Sequence, residues 1–267
     1  MQSARIINKC GTSFHFFRQI LLEVCGLGEL ITIRGLTKKY RLGQEVITAL
    51  DQVDLDIFEG EFLCILGTSG SGKSTMLHII AGLEKPSRGE VQIKGTTLTK
   101  MKERDMAYFR RKYMGFIFQS YNLLATLTAV ENVALPLIFD GIGRKERERR
   151  AKEILIQLGL QDRLRNKPTE MSGGQQQRVS IGRALINNPK IIFADEPTGN
   201  LDSKTTTEIM TLLTEKVKFS GVTLVMVTHD LEIAGYADRV VQMVDGKITE
   251  IRKNSKKEEN GEAVVSL

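Results

Sequence analysis

Gly67-Thr68-Ser69-Gly70-Ser71-Gly72-Lys73-Ser74-Thr75 is the stretch on which the fold of this chain turns. Residues 67–74 carry the spacing G-x-x-x-x-G-K-S. Three glycines allow successive backbone N–H groups to turn inward around a polyphosphate, while Lys73 reaches the terminal phosphates and the Ser74 hydroxyl is placed for Mg²⁺. The flanks agree. Glu61-Phe62-Leu63-Cys64-Ile65-Leu66 is a short apolar run suited to a buried strand, and Ser74 to Ala81 reads as a helix that closes at Gly82. Strand, glycine loop and helix together aim a helix N-terminus at an anion. The loop therefore reads as a phosphate site and not as a chance glycine-rich turn.

A second anion site is written at Ser172-Gly173-Gly174-Gln175-Gln176-Gln177-Arg178, after Met171. Ser172 and Gln175 have capping-box spacing, which predicts a helix over 175–186 with its N–H groups open at the start. The spacing alone fits any capped helix; the full string is far more specific. It resembles the signature motif of ABC-type ATPases, and further motifs fall where that resemblance requires them. Ile191-Ile192-Phe193-Ala194 predicts a buried strand that delivers Asp195 and Glu196 to opposite sides before Pro197 ends it.

By resemblance, Asp195 is the Walker B aspartate on Mg²⁺ and Glu196 the general base, a role worth roughly 10²–10⁴ in rate. Gln119 resembles the Q-loop glutamine that senses Mg²⁺ and the attacking water, and His229 the switch histidine at the γ-phosphate. Tyr40 resembles the aromatic stacked on adenine. Gly199-Asn200-Leu201-Asp202 resembles the D-loop that crosses to a partner subunit. His78, on the helix after the loop, is assigned no chemistry.

Other phrases narrow the resemblance to the macrolide-exporter and lipoprotein-release branch. They are Gln119–Leu124, Leu127–Val133, Ala194–Asp202 and Val227–Asp230, within a match over about residues 29–251. Thr68 stands where proline is usual and Met171 where leucine is usual; neither change removes a phosphate donor. The resemblance implies an α/β fold: a RecA-like P-loop NTPase core with an antiparallel β subdomain and an inserted α-helical subdomain at about 97–170. It also implies ATP and Mg²⁺ as ligands. Two copies would face head to tail, with Ser172, Gly173, Gly174 and Gln175 of one closing over the ATP on Gly67 to Thr75 of the other. A separate membrane permease would dock near 119–133.

Composition sets outer bounds. A chain of 267 residues with 41% hydrophobic residues can bury one α/β core. Its three cysteines, with Cys64 in the predicted strand, imply no disulfide framework and a reducing cytosol. No segment approaches the roughly eighteen apolar residues needed to span a bilayer, so transport would need a membrane partner. The expected place is the cytoplasm, peripheral on the inner face of the cell membrane. A net charge of +6 suits an anionic partner such as a nucleotide, a nucleic acid or inner-leaflet lipid.

Much of that excess lies in Arg144–Arg150, where Arg144/Glu148 and Glu148/Lys152 are i,i+4 pairs; this reads first as a solvated helix face. No nucleic acid is expected as partner, since the chain has one cassette and no heptad run where translation-type and repair-type relatives carry two cassettes or a coiled coil. A regulatory ATPase acting on a cell-wall or peptide-sensing membrane complex without transport remains the alternative.

At the ends, residues 1–28 hold Phe14, Phe16, Phe17, Ile20, Leu21 and Leu22 interrupted by Arg18, Gln19 and Glu23. They read as a loose extension or an amphipathic helix on membrane or permease. Residues 252–267 read as a charged, disordered tail.

Overall fold

The computed structural model describes residues 28–254; the expectations for residues 1–27 and 255–267 lie outside the described residues. β1 (Glu29–Leu42) and β2 (Glu45–Phe58) form a long antiparallel ribbon. β4 (Arg88–Ile93) and β5 (Thr96–Thr97) extend it to a four-stranded antiparallel sheet, β2-β1-β4-β5. Gly89, the second residue of β4 beside β1, requires glycine twice over: φ is +89°, and a Cβ would sit 2.4 Å from the Gly35 carbonyl oxygen.

The second sheet has six strands in the order β10-β9-β3-β8-β7-β6. Its members are β3 (Phe62–Leu66), β6 (Met114–Phe118), β7 (Ile191–Asp195), β8 (Thr223–Thr228), β9 (Arg239–Val244) and β10 (Lys247–Lys253). All pairings are parallel except β9 with β10. Because side chains alternate across a strand, each central strand feeds two cores. Leu63, Ile65, Phe193, Val225 and Val227 pack toward the antiparallel sheet and the helix α1 (Lys73–Ile80). Cys64, Leu66, Ile192, Leu224 and Met226 pack on the opposite face.

That opposite face is covered by α5 (Gly173–Leu185) and α6 (Ser203–Ser220). Before them come α2 (Glu103–Tyr113), α3 (Ala129–Phe139) and α4 (Arg144–Gln157); α7 is the short Leu231–Ala234. α3 and α4 build a third, smaller core with Val179 and Met171. Met171 thus fills an apolar site where leucine would also fit.

Three details differ from the sequence expectation. The window 97–170 is not all helical: β6 lies within it and pairs with β7, while Met106, Phe109 and Tyr113 of α2 pack on the main core. β10 continues through Arg252 and Lys253, so the expected tail begins with ordered strand. Glu196 does not prolong β7; its φ is +43° and the chain turns away there.

Other expectations hold in detail. Ser172 caps α5 in a reciprocal capping box with Gln175. Beyond those expectations, α4 closes through Gly159 at φ +75°, with the Leu160 N–H donating to the Leu155 carbonyl at 2.9 Å and both leucines buried together. Its charged face is a lattice of local pairs, Arg144 with Glu148, Arg150 with Glu146, and Arg149 with Glu146 and Glu153. Arg149 and Arg150 hold the exposed Glu146 carboxyl at a pKa of about 2, a solvated-face arrangement.

Candidate nucleotide site

The phosphate loop is shaped by what lies behind it. Gly67 has no room for a side chain, since a Cβ would fall 2.4 Å from the Met243 carbonyl oxygen. Gly72 heads α1 at φ +95°, where a Cβ would meet the Ala49 carbonyl oxygen at 2.3 Å. From behind, the Gly246 N–H donates to the Ser71 carbonyl at 3.0 Å, so the β9–β10 hairpin braces the loop. Thr68, Ser69 and Gly70 form its exposed crest.

Lys73 is buried and donates back to the Thr68 carbonyl at 2.7 Å. The Ser71 hydroxyl is buried and makes no hydrogen bond. A lone amine folded onto its own loop and an orphaned hydroxyl are both groups that an anion on the crest would satisfy. Ser74, Thr75 and Gly72 sit at the first turn of α1.

Two carboxylates close the site. Asp195, the last residue of β7, accepts from the Ser74 hydroxyl at 3.0 Å. Glu196 is fixed in its left-handed turn by two bonds: its N–H donates to Val227, and its carbonyl accepts from Gly199, both at 3.1 Å. Such a conformation costs about 1–3 kcal/mol for a non-glycine residue, so the surrounding loop must over-determine it. Its Oε1 lies 3.1 Å from His229 Nδ1, beyond the end of β8, and the carboxylate accepts when that nitrogen carries the proton.

Gln119 follows β6 and meets the next loop. Its backbone carbonyl accepts from Asn200 Nδ2 at 3.0 Å, and a Cβ on Gly199 would be 2.7 Å from its side-chain nitrogen. Asp202 caps α6, accepting from the Thr205 N–H at 3.0 Å. Tyr40 lies on β1 with its hydroxyl 2.8 Å from Glu84, and partial burial raises its pKa. Lys38 stands over its ring at 5.0 Å.

The fold therefore brings Tyr40, the loop 67–75, Asp195, Glu196, Gln119 and His229 to one end of the parallel sheet. Ser172–Gln175 belong to α5 and rest against the residue 199–205 loop: a Cβ on Gly173 would be 3.2 Å from Leu201, and one on Gly174 would be 2.5 Å from Thr205.

One residue given no chemistry in the sequence reading lies against the site. His78 Nε2 lies 3.4 Å from Asp195 Oδ2, and the hydrogen bond to Asp195 raises the imidazole pKa. The signal was available: His78 is four residues after Ser74, on the same face of α1.

Ser74 and Asp195 offer two hard oxygen donors, the set that suits Mg²⁺ when phosphates and water complete the shell. Among the described residues no group of three or more His, Cys, Asp or Glu side chains is gathered to hold a metal alone.

A mainly parallel sheet with a glycine loop between β3 and α1, and an adjacent strand tipped by a carboxylate, defines a P-loop nucleoside triphosphatase. The sequence model of the ABC transporter family matches residues 50–199. An uncharacterized ABC transporter ATP-binding protein of Methanocaldococcus jannaschii is 50% identical over 222 residues, 83% of this chain and 99% of that protein. The macrolide export ATP-binding/permease protein of Wolinella succinogenes is 48% identical over 220 residues, which cover 82% of this chain and 34% of that larger protein. A solved structure, described as a dimeric post-hydrolysis state of an ATP-binding cassette bound to ADP and Pi, aligns with a TM-score of 0.79 at 47% identity, covering 84% of this chain and 99% of that one. The chain belongs to the ABC transporter family, as an ATP-binding and ATP-hydrolysing cassette.

Proposed function

We propose that this cassette is the ATP-hydrolysing subunit of a transporter in which two copies close head to tail on ATP and move a separate membrane permease. Export or extraction of a drug, peptide or lipoprotein is the activity, with the cassette peripheral on the inner face of the cell membrane. The permease-fused macrolide exporters among its relatives support that partner, and the dimeric cassettes among its structural neighbours support the pairing. No helix among the described residues is long and apolar enough to cross a membrane, in keeping with a pathway carried by another chain. The permease would seat along 119–133.

The observation that carries the chemistry is the convergence of Ser74, Asp195, Glu196 and His229 beside the phosphate loop. Loop N–H groups and Lys73 hold the triphosphate. Tyr40 stacks on the adenine. Mg²⁺ on Ser74 and Asp195, with Gln119 completing its surroundings, would neutralise phosphate charge. Glu196 takes the proton of the attacking water, and His229 orients that carboxylate and the water. Ser172 to Gln175 of the second copy, with Asp202 at the crossing loop, cover the nucleotide and supply N–H donors. Phosphoryl transfer rests mostly on such positioning and charge stabilisation.

Glu196→Gln tests this reading, because the amide keeps the shape but cannot take a proton. The variant should bind ATP, lose turnover and elute as a dimer only with ATP; adding Ser172→Arg should abolish that dimer while sparing nucleotide binding. A Glu196→Gln protein that hydrolyses ATP normally, or stays monomeric with ATP, defeats the assignment.

A further inference from the structure

Gln177 is fully buried, at 0% exposure, in the middle of α5. A buried amide at that depth needs partners on both ends. It has one: Nε2 donates to the Pro197 carbonyl at 2.5 Å, while Oε1 makes no hydrogen bond. Pro197 has no N–H to anchor it and directly follows Glu196, whose left-handed turn is held by one bond to Val227 of β8 and one from Gly199 of the same loop. Gln177 thus ties α5 to Pro197, the neighbour of the residue that carries the base.

The rest of α5 is joined to the same neighbourhood. Gly173 and Gly174 press on Leu201 and Thr205 without room for a side chain. Farther along, Arg183 reaches back to the carbonyls of Tyr121 and Asn122, just beyond Gln119. The helix touches the loop after β6 and the loop after β7, and next to Glu196, at Pro197, the link is a single hydrogen bond.

We infer that Gln177 is a positioning residue: it transmits the placement of α5 to Glu196, so that a cassette whose Ser172 end has docked on the second copy's nucleotide also sets its own base. The inference rests on the proposed paired cassette and deepens it. It gives each copy a physical connection between the nucleotide it covers and the nucleotide it hydrolyses. The lone acceptor Oε1 suits this role, since no second bond fixes the amide independently of the loop.

The test uses the full chain with Gln177→Met, which keeps volume and removes the donor. Turnover is expressed per ATP-binding site titrated, so that unfolded protein does not count. kcat should fall roughly 10–100-fold with KM changed less than about threefold, as expected for a misplaced but intact site. ATP-dependent dimerisation in the Glu196→Gln background should persist. Gln177→Glu provides a second reading: a neutral buried carboxyl can donate to the Pro197 carbonyl and an ionised one cannot. Its kcat should approach wild type at about pH 6 and fall more steeply than wild type toward about pH 8.5. Equal kcat per site in Gln177→Met, or parallel pH profiles for Gln177→Glu and wild type, overturns the role of Gln177 and leaves the proposed function standing. A wild-type chain that does not hydrolyse ATP overturns both.

Discussion

Ser74 and Asp195, separated by 121 positions in the chain, face one another at 3.0 Å across the mouth of the parallel sheet. One stands on the first turn of α1 and the other on the last residue of β7, so neither can move without shifting a core element. That rigidity suits a cation that tolerates little distortion of its ligand geometry.

Lys73 is the one cation that the phosphate loop itself supplies, and it bonds only to its own loop. Lys73→Ala should lower ATP affinity by roughly 10–100-fold, the equivalent of one charge-assisted hydrogen bond. Titration with a fluorescent ATP analogue reads this directly; wild-type affinity in the variant means the phosphates lie elsewhere.

His78 gives a pH signature. Its pKa is raised by the Asp195 hydrogen bond, so its stabilising contact is fully present below the ordinary histidine range and is lost as pH rises through the elevated value. Melting temperatures of the nucleotide-free protein should decline more between about pH 6 and 8 for wild type than for His78→Asn. Parallel curves would show that the contact contributes nothing.

Arg239 and Glu61 form a buried pair at 2.7 Å, and Arg239 also donates to the Asp56 carbonyl. Burial raises the Glu61 pKa even though Arg239 opposes that shift, so the carboxylate depends on its partner. Arg239→Leu strands that charge and should cost about 3–5 kcal/mol in urea unfolding. Adding Glu61→Leu should recover most of it, and a single variant as stable as wild type contradicts the account.

Cys64 sits at the centre of β3, and burial pushes its thiol up to about 12. At pH 8 a fraction of only about 10⁻⁴ is thiolate, the reactive form. In a Cys10→Ser/Cys25→Ser background, an aromatic disulfide reagent should therefore label the protein only after denaturation. Rapid labelling of the native protein would place Cys64 nearer the surface.

Much of the site was legible because its chemistry is local. The loop 67–75, the Ser172–Gln175 cap and the Asp195–Glu196 pair are each contiguous, and each sits at a strand or helix end that apolar patterning marks. β6 was hidden inside the helical window because its five residues lie between the charged α2 and a loop, too short a run to stand out. The Glu196 turn went unread since a non-glycine left-handed residue leaves no trace in composition. Arg239 with Glu61 and Gln177 with Pro197 are pairings of distant segments that only the folded chain reveals.

The hairpin that backs Gly67 and Ser71 is built from the last two strands among the described residues, and β3 lies between β8 and β9 in the sheet. During synthesis the phosphate loop therefore leaves the ribosome long before the strands that give it its shape. A nascent chain halted ahead of β8 would carry every residue of the loop yet lack the neighbours that order it. Competence to hold nucleotide would then arrive late and abruptly, marking the completion of the cassette.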